Sequence, residues 1–275
     1  MSIVITVAPT GPIATKADNA HLPTTPEEIA NDVHVAYQAG AAVAHIHLRD
    51  EDQRPTADLG VARRVMDLIQ EKCPILIQMS TGVGLTVPFE VREKLVELRP
   101  RMATLNPCSM SFGDGEFLNP PKGVRRLAAR MRELDVKPEL EIYDSGHLDA
   151  CLRLYQEGLL AEPLQFSIVL GVRGGMAATP ENLLMTVRRL PPGSIWQVIT
   201  IGKANLQLTA MGLALGGNAR AGLEDCLYLR KGVLAHNLDL VERAAALAKA
   251  LQLPLADVSE TESRLQLPGA RPRGK

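Results

Sequence analysis

Aromatic side chains are scarce in this sequence, at 3% of 275 residues with a single Trp. Stacking platforms for bases or sugars are therefore not expected. Neither sign of charge dominates. The net value is −1, so the electrostatic footprint of a nucleic-acid binder is missing. No apolar run reaches 18 residues, so no membrane-spanning helix is expected. The opening MSIVITVAPTG has neither a basic n-region nor a cleavage site, which points to a cytoplasmic protein. Cys73, Cys108, Cys151 and Cys226 are scattered with no CxxC pair, which argues against a disulfide scaffold or a zinc ribbon. Cys108 and Cys226 have no obvious histidine base nearby in sequence, so a thiol nucleophile is not expected.

What is present is alternation. Short β-branched runs at 3–8, 42–48, 75–80, 102–106, 140–145, 164–171, 195–202 and 218–224 read as strands. Amphipathic stretches at 25–40, 58–72, 88–98, 121–135, 147–158, 180–189, 205–215 and 236–252 read as helices. The first helix is the best marked: Thr25 as N-cap, Pro26 in the first turn, Glu28 completing a capping box, and Gly40 at the end. Strands that alternate with helices imply a parallel sheet, and eight such units in about 250 residues suit a closed (β/α)8 barrel. An open doubly wound sheet is the alternative, but the first turn APTGPIAT has no G-x-G-x-x-G. Residues 1–265 are thus expected to be one barrel domain, with 266–275 a loose polar tail.

In such a barrel the site lies at the C-terminal ends of the strands. The polar residues gather there, and the strand interiors read as apolar. The stretch AHIHLRD puts His45 and His47 on one face of the second strand, because residues i and i+2 share a side. Either both are satisfied polar groups or both hold a metal. A carboxylate from the eighth strand, Glu224, would complete a set of two imidazoles and an acid, which suits zinc and can also hold Fe(II). His21, His34, His147 and His236 read as surface or capping groups.

Several spaced segments carry a family resemblance: ITVAPTG, LPTTPEEIA, AGAAVAHIHLRD, IQMSTGVG, MATLNP, FGDGEF, LEIYDSG, VLGVRGGM and GGNARAGLEDCLY. Over residues 3–255 the chain resembles the β-keto acid cleavage enzymes, whose founding member acts on 3-keto-5-aminohexanoate. The resemblance implies a zinc-dependent (β/α)8 barrel, a homotetramer, that condenses a β-keto acid with acetyl-CoA to give acetoacetate and a new acyl-CoA. It assigns His45, His47 and Glu224 to the Zn2+, Asp225 to the general base and Arg220 to its electrostatic partner. Ser80, Thr104 and Asn106 would hold substrate near the metal.

The pattern also departs from the founding enzyme. Ile13 stands where that enzyme has a glutamate able to meet an amine, and Arg173 replaces a proline in GVRGGM. Asn218 and Cys226 are lesser departures. The loss of an acid and the gain of a base at the mouth predict a neutral or anionic substrate tail. The rival reading is a metal-dependent hydrolase on the same barrel. In amidohydrolases, however, H-x-H ends the first strand and later strands add histidines, whereas here it ends the second.

Overall fold

The computed structural model describes residues 2–267. The tail residues 268–275 lie outside that range. In chain order the strands are β1 (Ile5–Val7), β2 (Val43–Ile46), β3 (Leu76–Met79), β4 (Met102–Leu105), β5 (Met110–Phe112), β6 (Gly115–Phe117), β7 (Lys137–Ile142), β8 (Gln165–Leu170), β9 (Ile195–Thr200), β10 (Asn218–Ala221), β11 (Tyr228–Arg230) and β12 (Val233–Leu234). The helices are α1 (Pro26–Gln38), α2 (Leu59–Lys72), α3 (Phe89–Arg92), α4 (Pro121–Glu133), α5 (Ser145–Gln156), α6 (Pro180–Val187), α7 (Asn205–Ala214), α8 (Asn237–Ala250) and α9 (Val258–Leu265). Eight strands close a parallel ring in the order β1, β2, β3, β4, β7, β8, β9, β10 and back to β1. This is the (β/α)8 barrel that the alternation predicts.

The local chemistry explains most boundaries. Thr25 Oγ1 accepts from the Glu28 amide at 3.2 Å, and the Glu28 carboxylate accepts from the Thr25 amide at 3.1 Å, so the capping box starts α1 as read. The fifth barrel strand begins earlier than the sequence suggests, at Lys137 instead of residue 140, and α5 begins at Ser145. The helix start is set by Asp144, whose carboxylate accepts from the Gly146 amide at 3.2 Å and caps α5. The stretch read as one helix at 88–98 is a four-residue α-helix followed by a 3₁₀ turn over Glu93–Leu98, with no side-chain cap. The hairpins β5–β6 and β11–β12, and α9, have no counterpart in the sequence reading.

The ring interior is layered. At its lower end Val4, Val43, Leu76 and Met102 pack with Leu265 and Leu267, so α9 and the residues after it close the bottom. Above this the interior is polar, not apolar as the sequence suggests. Glu139 is fully buried and accepts from Gln165 Nε2 at 2.6 Å, Ser167 Oγ at 2.6 Å and Gln197 Nε2 at 3.1 Å. Four side chains on three strands share one network centred on the Glu139 carboxylate, which is how that carboxylate is tolerated in a core. This layer is the floor on which the site is built.

Candidate metal centre and active site

Strand register delivers the first side chains. Residues 43, 45 and 47 alternate along β2, so both imidazoles point into the ring. β3 pairs with β2 so that Gln78 lies opposite His45. The two side chains meet at 2.7 Å between His45 Nδ1 and Gln78 Oε1. An amide oxygen accepts, so Nδ1 carries the proton and Nε2 keeps its lone pair free to face the mouth.

Glu224 and Asp225 come from the turn after β10, and two glycines let that turn approach β1. At Gly222 φ is +155°, and a Cβ would lie 2.1 Å from the Ala8 carbonyl oxygen. At Gly11 φ is +68°, and a Cβ would lie 2.6 Å from Glu224 Cγ. No L side chain fits at either point. The Glu224 amide is left free to bond the Ala8 carbonyl at 3.2 Å. β1 stands between β2 and β10 in the ring, so this close approach brings the acid within reach of the histidines.

Those three residues converge. His45 Nε2 is 3.4 Å from Glu224 Oε2, and His47 Nε2 is 3.5 Å from Glu224 Oε1. One candidate ligand atom from each of the three residues lies within 4.8 Å of the others. His45 Nε2 and Glu224 Oε2 are buried, yet neither has a hydrogen-bond partner. Unpaired buried polar atoms are costly. Tetrahedral ligands about 2.0–2.1 Å from one ion sit roughly 3.4 Å apart, which is the spacing found. The residues present therefore fit a divalent cation, and the three donors could hold one. Charge agrees: Glu224, Asp225 and Glu141 surround the single guanidinium of Arg220, an excess of negative charge that a cation offsets.

Arg220 is the hub. Its Nε donates to Asp225 at 2.9 Å, and its Nη2 donates to both Asp225 and Glu224, the latter at 2.9 Å. Its Nη1 lies 3.7 Å from Glu141, whose other oxygen accepts from Asn106 Nδ2 at 3.0 Å. Burial works against charge on every acid here. At Glu224 burial is outweighed by Arg220, His45 and His47, which hold the carboxyl well below its ordinary range. At Asp225 burial prevails over Arg220 and the pKa rises, making a stronger base. Glu141 is raised by burial in the same way. For the imidazoles, burial favours neutrality and Glu224 opposes it. Burial prevails at His47, which is lowered, while Glu224 raises His45.

Sequence and structure comparisons give this geometry a family. The model of the beta-keto acid cleavage enzymes matches residues 2–267. The chain belongs to that family. It is 38% identical over 268 residues to a 3-keto-5-aminohexanoate cleavage enzyme of Fusobacterium nucleatum, covering 96% of this chain and 98% of the relative. It is 34% identical to a 3-oxoadipate:acetyl-CoA acetyltransferase of Cupriavidus necator, covering 99% of this chain and 97% of that one. A ternary complex of ObcA with a C4-CoA adduct and oxalate superposes with TM-score 0.77 over 90% of this chain and 68% of that one; at 20% identity it shows the fold alone. The chain is an enzyme of β-keto acid cleavage.

In this family member the centre opens into a cavity of about 1530 Å³, lined by His47, Ser80, Glu141, Arg220, Glu224 and Asp225 among others. A typical small-ligand pocket is roughly 300–1,000 Å³, so there is room for two substrates. Ser80 faces the cavity, and its Oγ accepts from the Gly82 amide at 3.2 Å. Thr104 and Asn106 are buried and stand outside the lining. Thr104 Oγ1 is engaged by the Thr81 amide at 3.0 Å, and Asn106 by Glu141. Ile13 and Arg173 both reach the mouth, with Ile13 59% exposed. Arg173 is paired with Asp114 at 2.6 Å, which joins the β8 loop to the β5–β6 hairpin. The sequence reading missed Glu141 and Gln78. Each lies inside a strand that the sequence reading includes and follows its period-two alternation, but a single polar residue within an apolar run carries no motif to single it out.

Proposed function

We propose that this enzyme is a zinc-dependent transferase condensing a β-keto acid with acetyl-CoA to give acetoacetate and the acyl-CoA of the remaining chain. The observation that carries the reading is the convergence of His45, His47 and Glu224 beside the Arg220–Asp225 pair at the bottom of a two-substrate cavity. Two imidazoles and one carboxylate suit zinc, which supplies Lewis-acid polarisation of the keto oxygen and acidifies the neighbouring methylene.

The chain's own residues handle the protons and charge. Asp225, raised by burial, takes a methylene proton from the keto acid. Arg220 holds Asp225 in place and stays cationic, well above even its ordinary range, because Asp225 and Glu224 outweigh burial. Ser80 presents a hydroxyl to the bound acid at the cavity wall, with Thr104 and Asn106 supporting that wall. The carbanion carbon bonds to the acetyl carbonyl carbon, and the CoA thiolate leaves. The thiolate then adds to the other ketone, and the original carbon–carbon bond breaks. Asp225 returns its proton to the released acetoacetate carbon, so the base ends as it began.

The tail is read from the mouth. Ile13 offers apolar surface where an acid would favour an amine, and Arg173 adds a cation whose partner Asp114 is exposed. A neutral or anionic tail fits this rim better than a cationic one. The test is acetoacetate formation by metal-loaded protein with acetyl-CoA and matched anionic, neutral and cationic 3-oxo acids. Preference for the cationic tail overturns the tail reading. Hydrolysis without any CoA dependence favours a metal hydrolase instead. The assembly is proposed as a homotetramer of this 29.8 kDa chain. The motive is the family resemblance, and a concentration-independent monomer in sedimentation would exclude it. No helix among the described residues is long and apolar enough to cross a membrane, in keeping with a cytoplasmic reaction.

A further inference from the structure

The two rims of the cavity differ in how their cations are used. On one side Arg173 has a carboxylate partner, the exposed Asp114. On the other, Lys203 in the loop after β9, and Arg230 and Lys231 in the β11–β12 hairpin, also line the cavity. Among the described residues no carboxylate forms an ion pair with any of these three. The loops after the seventh and eighth strands are where (β/α)8 enzymes commonly bind phosphate.

The same hairpin exposes an aromatic ring. Tyr228 is 49% exposed in a chain with only four tyrosines, and it too lines the cavity. Along β11, Tyr228 and Arg230 stay exposed while Leu229 between them is half-buried. The hairpin is also held in place. Arg243 donates to the Leu229 carbonyl at 3.0 Å and to Asn205 Oδ1 at 2.8 Å, tying the hairpin to the start of α7, beside Lys203. Asn19 Nδ2 bonds the carbonyls of Leu227 and Ala235 at 3.1 and 3.0 Å, fixing the hairpin base. Leu206, Leu227 and Leu229 line the same cavity and give it apolar surface for a long uncharged arm.

Resting on the acetyl-CoA reading above, we propose that this rim is the nucleotide end of the thioester site. Tyr228 stacks against the adenine, and Lys203, Arg230 and Lys231 hold the 3′-phosphate and diphosphate. Phosphate oxygens accept charge-assisted hydrogen bonds from such cations, and a base has a flat face for the ring. The low aromatic content thus does not exclude a stacking contact; one well-placed ring supplies it.

Calorimetry tests the assignment directly, with CoA, dephospho-CoA and pantetheine titrated into the metal-loaded enzyme. We expect CoA to bind at least about tenfold tighter than pantetheine, with dephospho-CoA between them, and the gap to shrink at high salt. Arg230→Glu with Lys231→Glu should reduce the CoA-to-pantetheine affinity ratio by about tenfold or more. Tyr228→Ala should reduce it by about fivefold to a hundredfold. In turnover, the ratio of kcat/KM for acetyl-CoA over acetyl-pantetheine should fall in step, a comparison that a general loss of folded enzyme does not move. An unchanged ratio in the double variant overturns the phosphate assignment, and an unchanged ratio in Tyr228→Ala overturns the stacking assignment. A wild-type enzyme that binds CoA with this pattern but makes no acetoacetate from any keto acid leaves the rim standing and removes the transferase reading.

Discussion

Arg220 donates to two adjacent carboxylates at once, and this sets what each can do. Glu224 is held ionised, the form a metal ligand needs, while Asp225 sits deeper, with burial raising its proton affinity. Asp225→Asn keeps the shape and an oxygen for the Arg220 donors, but removes the base. Turnover should fall by about 10²–10⁴-fold while the metal content stays near one equivalent. Acetoacetate assay and elemental analysis of one preparation check both halves; near-wild-type turnover with metal retained would remove Asp225 from the chemistry. At this scale the sequence is informative where side chains alternate, as His45 and His47 do, or lie in one short motif, as Arg220, Glu224 and Asp225 do. It is silent on Gln78 and Glu141. Their roles come from a strand partner and from a guanidinium many residues away, and neither relation is written in local spacing.

The turn that carries Glu224 is an element whose geometry depends on Gly11 across from it. A residue with a side chain at φ +68° costs about 1–2 kcal/mol on backbone grounds. Gly158 supplies the control. Its φ is +74°, yet a Cβ there meets nothing within 4 Å. Gly158→Ala should therefore lower stability by that strain alone and leave metal affinity where it was. Gly11→Ala should carry the same strain and also push Glu224 off its position, weakening metal binding in a chelator competition. Equal metal affinity in the two variants would show that the turn tolerates displacement and that Gly11 serves the backbone only. The elements themselves were legible in proportion to their length. Long capped helices such as α1 and the apolar strands stand out by periodicity. The hairpins β5–β6 and β11–β12 are built from strands of two or three partly exposed residues, too short for any period to register. These hairpins carry much of the mouth, so the rim was the least readable part of the site.

For the whole molecule, an ion held by His45, His47 and Glu224 would be a clasp on barrel closure. His45 and His47 come from the second strand and its end, Glu224 from the turn after the last, and β1 is the seam between them. An ion bound there joins parts of the chain nearly 180 positions apart in sequence, as the numbers of His47 and Glu224 show. A ligand that binds the folded state alone stabilises it by RT ln(1 + [L]/Kd), about 2.7 kcal/mol at a hundredfold excess over Kd. For a domain of this size that is roughly 5–10 °C in the thermal midpoint. Zinc added to chelator-stripped protein should raise the midpoint by about that amount, and renewed chelation should reverse it. The unfolded chain can also bind zinc through its four free cysteines, which trims the gain. The double variant His45→Ala with His47→Ala measures that correction, because it keeps the cysteines and loses the clasp. A zinc-dependent rise in the wild type that vanishes in the double variant supports the three-residue site without reference to catalysis. The same midpoint in both proteins, with and without zinc, would mean that these residues close the barrel without an ion.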